Sequence, residues 1–348
     1  MQSLLNVSII NPIEHPDWDA LLLTADRATF FHTTAWARVL SESYGYKPLY
    51  FTTIEGGKLT GLIPVMEIKS FLTGKRGVSL PFTDICHPIA DTPDIFQALM
   101  DKLTQHGKGA GWKHIEIKGG GAFLGKTAPP CAEHFTHILE LESGEDNVQN
   151  SFRDSTRRNI RKAYRDGVEV TFQHTAEAMA AFYVLHCQAR RRHGLPPQPW
   201  RFFEKVYAHV VAAEKGVVLL AAHAGKTVAG AVYFFFRDRA LFKFGASDRA
   251  FQHLRANNLV MGEAIRWFCR NGFHSLHLGR TEAENEGLLQ FKRGWGVKEN
   301  RVAYYRLNLR ENAFSAERNG TRSSYPVFKM LPIPVLRLAG SILYRHVG

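Results

Sequence analysis

Twice in 348 residues, a pair of apolar runs flanks a glycine turn, and helix and strand patterns follow. In the first half, residues 48–69 (PLYFTTIEGGKLTGLIPVMEIK) place two strands about Glu55-Gly56-Gly57. An amphipathic helix (IFQALMDKLTQHGKGAG, 95–111) and the strands WKHIEIK and HFTHILEL come next. In the second half, residues 217–236 (VVLLAAHAGKTVAGAVYFFF) turn at Ala224-Gly225-Lys226, and LFKFGAS reads as a third strand. The helix NNLVMGEAIRWFCRNG, the buried strand SLHLGR, the short helix GLLQFKRGWG and the strand VAYYRLNL complete the order. A period near two marks strands and one near 3.6 marks helices, with Gly at hairpin tips and helix ends. Further helices are expected over Thr33–Tyr44, 176–194 and 202–216. Hairpins interleaved with helices specify an α/β (α+β) chain, here two related units. The polar stretch Glu142–Asn147 separates them, so the expected division is 1–146, 147–310, and a linker with a terminal helix over 311–348.

Charge divides the chain in the same place. Residues 1–146 hold 12 basic and 17 acidic side chains, whereas 147–348 hold 32 and 15. The excess behind the net charge of +12 therefore lies in the second half, which suits phosphates, nucleic acid or anionic lipid. A hydrophobic content of 45% suffices for a core and argues against disorder. No run approaches the roughly 18 apolar residues of a spanning helix, and the first residues lack a basic n-region and a cleavage site. Cys86, Cys131, Cys187 and Cys269 are widely spaced, as expected of reduced thiols rather than zinc ligands or disulfide partners. A cytosolic (cytoplasmic) chain is the expectation.

Gly120–Thr127 (GGAFLGKT) fits the phosphate-loop pattern, yet Pro129-Pro130 and an alternating run follow where a helix is required. A glycine-rich surface loop is expected instead. The 16 histidines show no metal-binding spacing, and no G-x-S-x-G elbow occurs. Ser151–Asp166 (SFRDSTRRNIRKAYRD) reads as a helix with a capping box at Ser151 and Asp154 and a stop at Gly167. Arg153, Arg157, Arg158, Arg161, Lys162 and Arg165 cover one half of it; Phe152, Ile160, Ala163 and Tyr164 form the other, buried half. Six cations suit an anionic partner, and a merely solvated face is the simpler use. Arg190-Arg191-Arg192-His193 adds a second basic cluster. Between Phe244 and Gly296, the residues Ser247, Asp248, Arg280, Glu282, Asn285 and Lys292 gather at strand ends, where α/β units collect ligands. Packing and turns are the plainer use of Phe291, Trp295 and the glycines there.

The segments FGAS (244–247), NNLVMGEAIRW (257–267), LGRTEAENEGLLQFKRGWG (278–296), SFRDSTRRNIRKA (151–163) and RRRHGLPPQPWRFFEKVY (190–207) together resemble the FemAB-type transferases. The resemblance extends to the BioF2-like acetyltransferases found near exopolysaccharide (PEP-CTERM-associated) export systems, and it covers most of the chain. It implies two tandem GNAT-like acyltransferase domains, each a mixed sheet flanked by helices. Fem enzymes of Gram-positive bacteria move an amino acid from aminoacyl-tRNA to an amine of a peptidoglycan precursor. The family's active-site Phe-Lys pair matches Phe291-Lys292. The resemblance thus implies an acyl- or aminoacyltransferase acting on an anionic or lipid-linked cell-envelope precursor, with no tightly bound cofactor. Its acyl donor would be aminoacyl-tRNA or acyl-CoA. Two departures bear on the donor: no heptad-rich coiled-coil arm is present, and FQHLRANNL (251–259) lacks the glycines of the [QR]-x-x-G-x-[GA] pyrophosphate loop. The alternatives are a CoA-dependent N-acetyltransferase of a small amine and a nucleic-acid-binding module using the 151–166 helix.

Acyl transfer needs a polarised carbonyl and a free-base amine. Lys292 and Arg280 are the candidate catalytic, anion-stabilising residues, and Lys292 is expected to be a cleft lysine of little consequence for folding. Phe291, Ser247, Asp248, Asn258, Asn285, Arg157 and Arg161 are the candidate substrate-binding residues. No general base, cofactor-binding residue or metal ligand stands out. Pro326, Pro332 and Pro334 precede VLRLAGSILYRHVG. Its helical wheel gathers Val335, Leu336, Leu338, Ala339, Ile342, Leu343 and Val347 on one face and Arg337, Ser341 and Arg345 on the other. Such a helix either lies in an anionic membrane surface, making the protein peripheral at the inner face, or packs on the second unit.

Overall fold

The computed structural model describes residues 5–316 and 325–348. Contacts divide them into two units: residues up to 134 with 301–316 and 343–348, and residues 135–300 with 325–342. The first opens with β1 (Ser8–Ile10), α1 (Trp18–Leu22) and α2 (Thr34–Tyr44). The Thr33 hydroxyl caps α2, and Gly45 ends it in the left-handed conformation, as the sequence signals. β2 (Lys47–Glu55) and β3 (Lys58–Ser70) form the expected hairpin. Then come β4 (Gly74–Val78), β5 (Ile89–Ala90), α3 (Pro93–Gly109) and β6 (His114–Lys118). The strand order is β1-β2-β3-β4-β6, antiparallel except for β4–β6. A parallel pair needs a crossover, and α3 supplies it, burying Ile95, Phe96, Leu99, Met100 and Leu103 in the core. Where a plain loop was expected after β6, Gly121–Leu124 makes a single helical turn, α4, too short to offer an N-terminal anion site.

β7 (Ala132–Glu140) leads into the second unit, followed by α5 (Glu145–Asn150), α6 (Asp154–Arg165), β8 (Glu169–Gln173), α7 (Ala176–Arg192) and α8 (Trp200–Val206). The hairpin of β9 (Gly216–His223) and β10 (Lys226–Phe236), then β11 (Arg239–Ser247), α9 (Ala256–Arg270), β12 (Ser275–Thr281) and α10 (Glu286–Arg293), complete its main body. The order is β7-β12-β11-β10-β9-β8, again with one parallel pair, β11–β12, spanned by α9. Leu259, Val260, Ala264, Ile265 and Phe268 of α9 lie in this unit's core. Two expectations for α6 are corrected. No side chain caps it; Ser151 instead donates its hydroxyl to the Val148 carbonyl at 2.7 Å, closing α5. Tyr164 is exposed rather than buried, donating to Glu263 and stacking 5.5 Å from the Arg266 guanidinium. Phe152, Ile160 and Ala163 are buried as the wheel indicates.

The division also differs from 1–146, 147–310 and 311–348, for a reason of strand order. β13 (Lys298–Asn308), next in sequence after α10, pairs with β6 from Tyr304 to Asn308. β7, the strand that follows β6, pairs with β12. Each unit therefore takes its closing strand from the far half of the sequence. β14 (Ala313–Phe314) pairs with β13, and α11 (Pro326–Met330) and α12 (Ile333–Val347) follow.

A fragment ending at residue 146 lacks β13, and with it Tyr305, Leu307 and Leu309, all buried in the first unit's core. Each such side chain contributes about 1.5–3 kcal/mol, and the three together rival a stability of about 5–15 kcal/mol. The fragment 1–146 should therefore show no cooperative transition by calorimetry while the whole chain does. A sharp transition in the fragment would mean that β13 is dispensable.

Candidate active site

β11 and β12 begin as neighbours and then part. They pair at Arg239–Ser275, Ala240–Leu276 and Leu241–His277 and no further, although β11 runs to Ser247 and β12 to Thr281. Two irregularities accompany the parting. Lys243 is an extra residue in β11, where the register with β10 shifts, and β12 is interrupted against β7 between His277 and Arg280. Such bulges bend a strand and re-aim its side chains. Gly279 takes φ +72° at the second, its N–H given to His277 Nδ1 at 2.9 Å, a conformation that a side chain would strain. Lys292 Nζ donates to the carbonyls of Gly279 and Arg280 at 3.1 and 3.0 Å. Lys292 is only 2% exposed. The expectation of a cleft lysine without structural consequence is thereby corrected: a buried ammonium anchors the end of β12.

At the end of β11 lies a cleft of about 520 Å³. It is lined by the start of α6 (Arg153, Ser155, Thr156, Asn159), by Val228 and Ser247, by the approach to α9 (Phe251, Gln252, Arg255 through Asn258) and by α10 (Gly287, Gln290, Phe291, with Gly294). Two helices begin at it without a side-chain cap, α6 after Arg153 and α9 after Arg255. An uncapped N-terminus leaves N–H groups and the positive end of the helix dipole available. Arg153 and Arg255 add two charges, and no lining residue is a carboxylate. The cleft is therefore suited to a phosphate or diphosphate.

Of the residues selected from sequence, Ser247, Asn258 and Phe291 line this cleft. The Ser247 hydroxyl accepts Asn257 Nδ2–H at 3.0 Å, and Phe291 stands edge-on to Trp295. Asp248 is engaged in structure: it accepts the Ala250 N–H at 3.0 Å and pairs with Lys226 at 3.2 Å. That backbone N–H, and then Lys226, hold its carboxyl below the usual range. Arg280 projects from β12, 3.7 Å from Glu282. Asn285 caps α10, accepting the Leu288 N–H at 3.2 Å. Arg157 pairs with Asp154 and donates to the Asn150 carbonyl, and Arg161 is exposed on α6. These five residues and Lys292 lie outside the cleft lining. Sequence reasoning missed Arg153, Asn159, Gln252, Arg255, Asn257 and Gln290 as cleft residues. For Arg153 and Asn159 the signal was their place in the first turns of the basic helix; for Arg255 there was none.

Residues 150–293, which hold the cleft except for Gly294, match the family model of an acetyltransferase (GNAT) domain. A comparison of the sequence with curated proteins finds no match. Among solved structures, FemX is similar with a TM-score of 0.69 at 15% identity, over 85% of this chain and 96% of its own. A tandem GNAT protein from the clavulanic acid biosynthesis pathway is similar at 0.57 and 11%, over 87% and 98%. L-PGS from Bacillus licheniformis is similar at 0.54 and 14%, over 94% and 97%. At these identities the likeness is one of fold. Residues 150–293 thus match an acetyltransferase (GNAT) domain, and the fold of the chain is that of FemX and of the tandem GNAT protein.

Proposed function

We propose that the second unit transfers an acyl or aminoacyl group to an amine of a cell-envelope precursor, related to peptidoglycan or exopolysaccharide, in the cytoplasm. The observation that carries this reading is the cleft at the end of β11, with two uncapped helix starts, two arginines and no carboxylate. A donor with a phosphate near its acyl arm supplies the matching charge. Acyl-CoA fits the GNAT domain, and aminoacyl-tRNA fits the likeness to FemX. Past Leu241, the edge of β11 has left β12, so its peptide groups can pair with an extended donor arm. In this reading the N–H groups that open α9 polarise the acyl carbonyl.

In the transfer, the new N–C bond forms as the donor's thioester or ester bond breaks. The amine's proton leaves with the released thiol or hydroxyl. No His, Cys, Lys, Asp or Glu lines the cleft, so the amine must reach it neutral or pass its proton to water or to the substrates. Lys292 acts here as a positioning residue, through the carbonyls that it holds. Arg280, at the same strand end, is the group to meet an anionic acceptor.

Two measurements test this reading. Calorimetric titration with CoA and with aminoacylated tRNA should show binding of at least one. Arg153→Gln and Arg255→Gln should each weaken it about ten- to hundredfold, since a hydrogen bond to a charged group contributes about 1.5–3 kcal/mol. Binding of neither, or an unchanged affinity in both variants, would remove the cleft from donor recognition. Lys292→Ala should destabilise the protein by about 2–4 kcal/mol, because two carbonyls lose their donor and a buried stem leaves a void. At about 2–4 °C per kcal/mol, the melting temperature drops visibly. An unshifted melting temperature would mean that Lys292 does not anchor β12.

A further inference from the structure

The terminal segment of the second unit has two faces, and folding uses one of them. Along α12, Leu336 is buried, Ala339 half-buried, and Gly340 lies so close to the Pro197 carbonyl that a Cβ would collide with it. The Tyr325 N–H donates to the Gly194 carbonyl at 2.9 Å, tying down the start of α11. Val335, Leu338 and Ile342 are nevertheless exposed, Leu338 by 63%. At 100° per residue they fall within about 60° of one another. Val327 and Met330 of α11, the latter 87% exposed, precede them. Among the described residues, seven of the fourteen exposed large apolar side chains lie between Tyr325 and Val347. That clustering is unlike the single apolar residues of an ordinary surface. The broad apolar face read from the sequence is therefore two, one packed and one outward.

Charge identifies the occupant of the outward face. From Arg318 to Gly348 the sequence has five Lys or Arg and no Asp or Glu, and Lys329, Arg337 and Arg345 are exposed. The stripe is thus apolar along its centre, with basic residues beside it.

We propose that the outward stripe of α11 and α12 is a docking surface for an anionic lipid bilayer. The apolar side chains enter the headgroup boundary, and the basic residues meet lipid phosphates. Among the described residues no helix is long and apolar enough to cross a membrane, so this attachment lies on the surface. Docking extends the transferase reading by bringing the chain to a lipid-linked acceptor, but it does not depend on that reading.

The test is co-sedimentation of the full chain with phosphatidylcholine vesicles, with and without phosphatidylglycerol. Binding is expected to the anionic vesicles and to weaken as salt is raised. The double substitution Leu338→Glu, Ile342→Glu should reduce partitioning about tenfold or more while keeping the melting temperature, since both side chains are exposed. Absence of wild-type binding would overturn the proposal, as would undiminished binding by the Leu338/Ile342 variant. So would self-association abolished by that variant without vesicle binding, which would make the face a contact between copies. The assay requires no turnover, so a failed transferase reading and a failed docking surface are told apart.

Discussion

A parallel strand pair that separates leaves peptide groups without partners, and each one left buried and unpaired costs about 1–3 kcal/mol. In the second unit this cost falls on β12 just past His277, where the pairing with β11 has stopped and that with β7 is interrupted. Lys292 meets it by placing one ammonium between two successive carbonyls. Gly279 permits the local backbone by taking a left-handed φ. Lysine and glycine thus hold the end of β12 where it has left β11.

The hairpins and the crossover helices were legible because each is local. Alternation around Gly56-Gly57 and Ala224-Gly225, and Gly45 just past α2, all act within a few residues. The exchange of β7 and β13 was not legible, since alternation tells which face of a strand is buried and not which strand it joins. The Ser151–Asp154 box failed because the same serine had a nearer acceptor, the Val148 carbonyl of the preceding short helix. Burial of Lys292 could have been found: it lies three residues after Leu289, on the same face of α10, and both are buried. A charge count hides such a residue, whereas a wheel shows it.

The two units share a crossover but differ at its entrance. In the first, the Thr92 side chain accepts the Ile95 N–H and Pro93 occupies the first turn, so the start of α3 offers little to a ligand. The chain beyond β4 also keeps to β6, the Ser79 N–H reaching the Glu116 carbonyl at 2.7 Å and the Cys86 N–H the Lys118 carbonyl at 3.0 Å. In the second, α9 starts uncapped and β12 has parted from β11. The opening therefore coincides with the half of the sequence that carries the positive charge.

In the proposed donor site, Arg255 stands at that entrance where a pyrophosphate loop would have glycines. It takes φ +59°, a conformation that disfavours a residue with a Cβ by roughly 1–2 kcal/mol. A glycine would relieve the strain, but it would present only its backbone to the cleft. Arginine accepts the strain and adds a guanidinium at the mouth of an uncapped helix, where dipole and charge act in the same direction. The same left-handed φ ends the 3-10 turn Arg249–Leu254, with the Arg255 N–H given to the Gln252 carbonyl at 3.2 Å, so one residue serves the turn and lines the cleft. In the proposed donor site, the missing glycines are thus answered by recognition through backbone and side chain together.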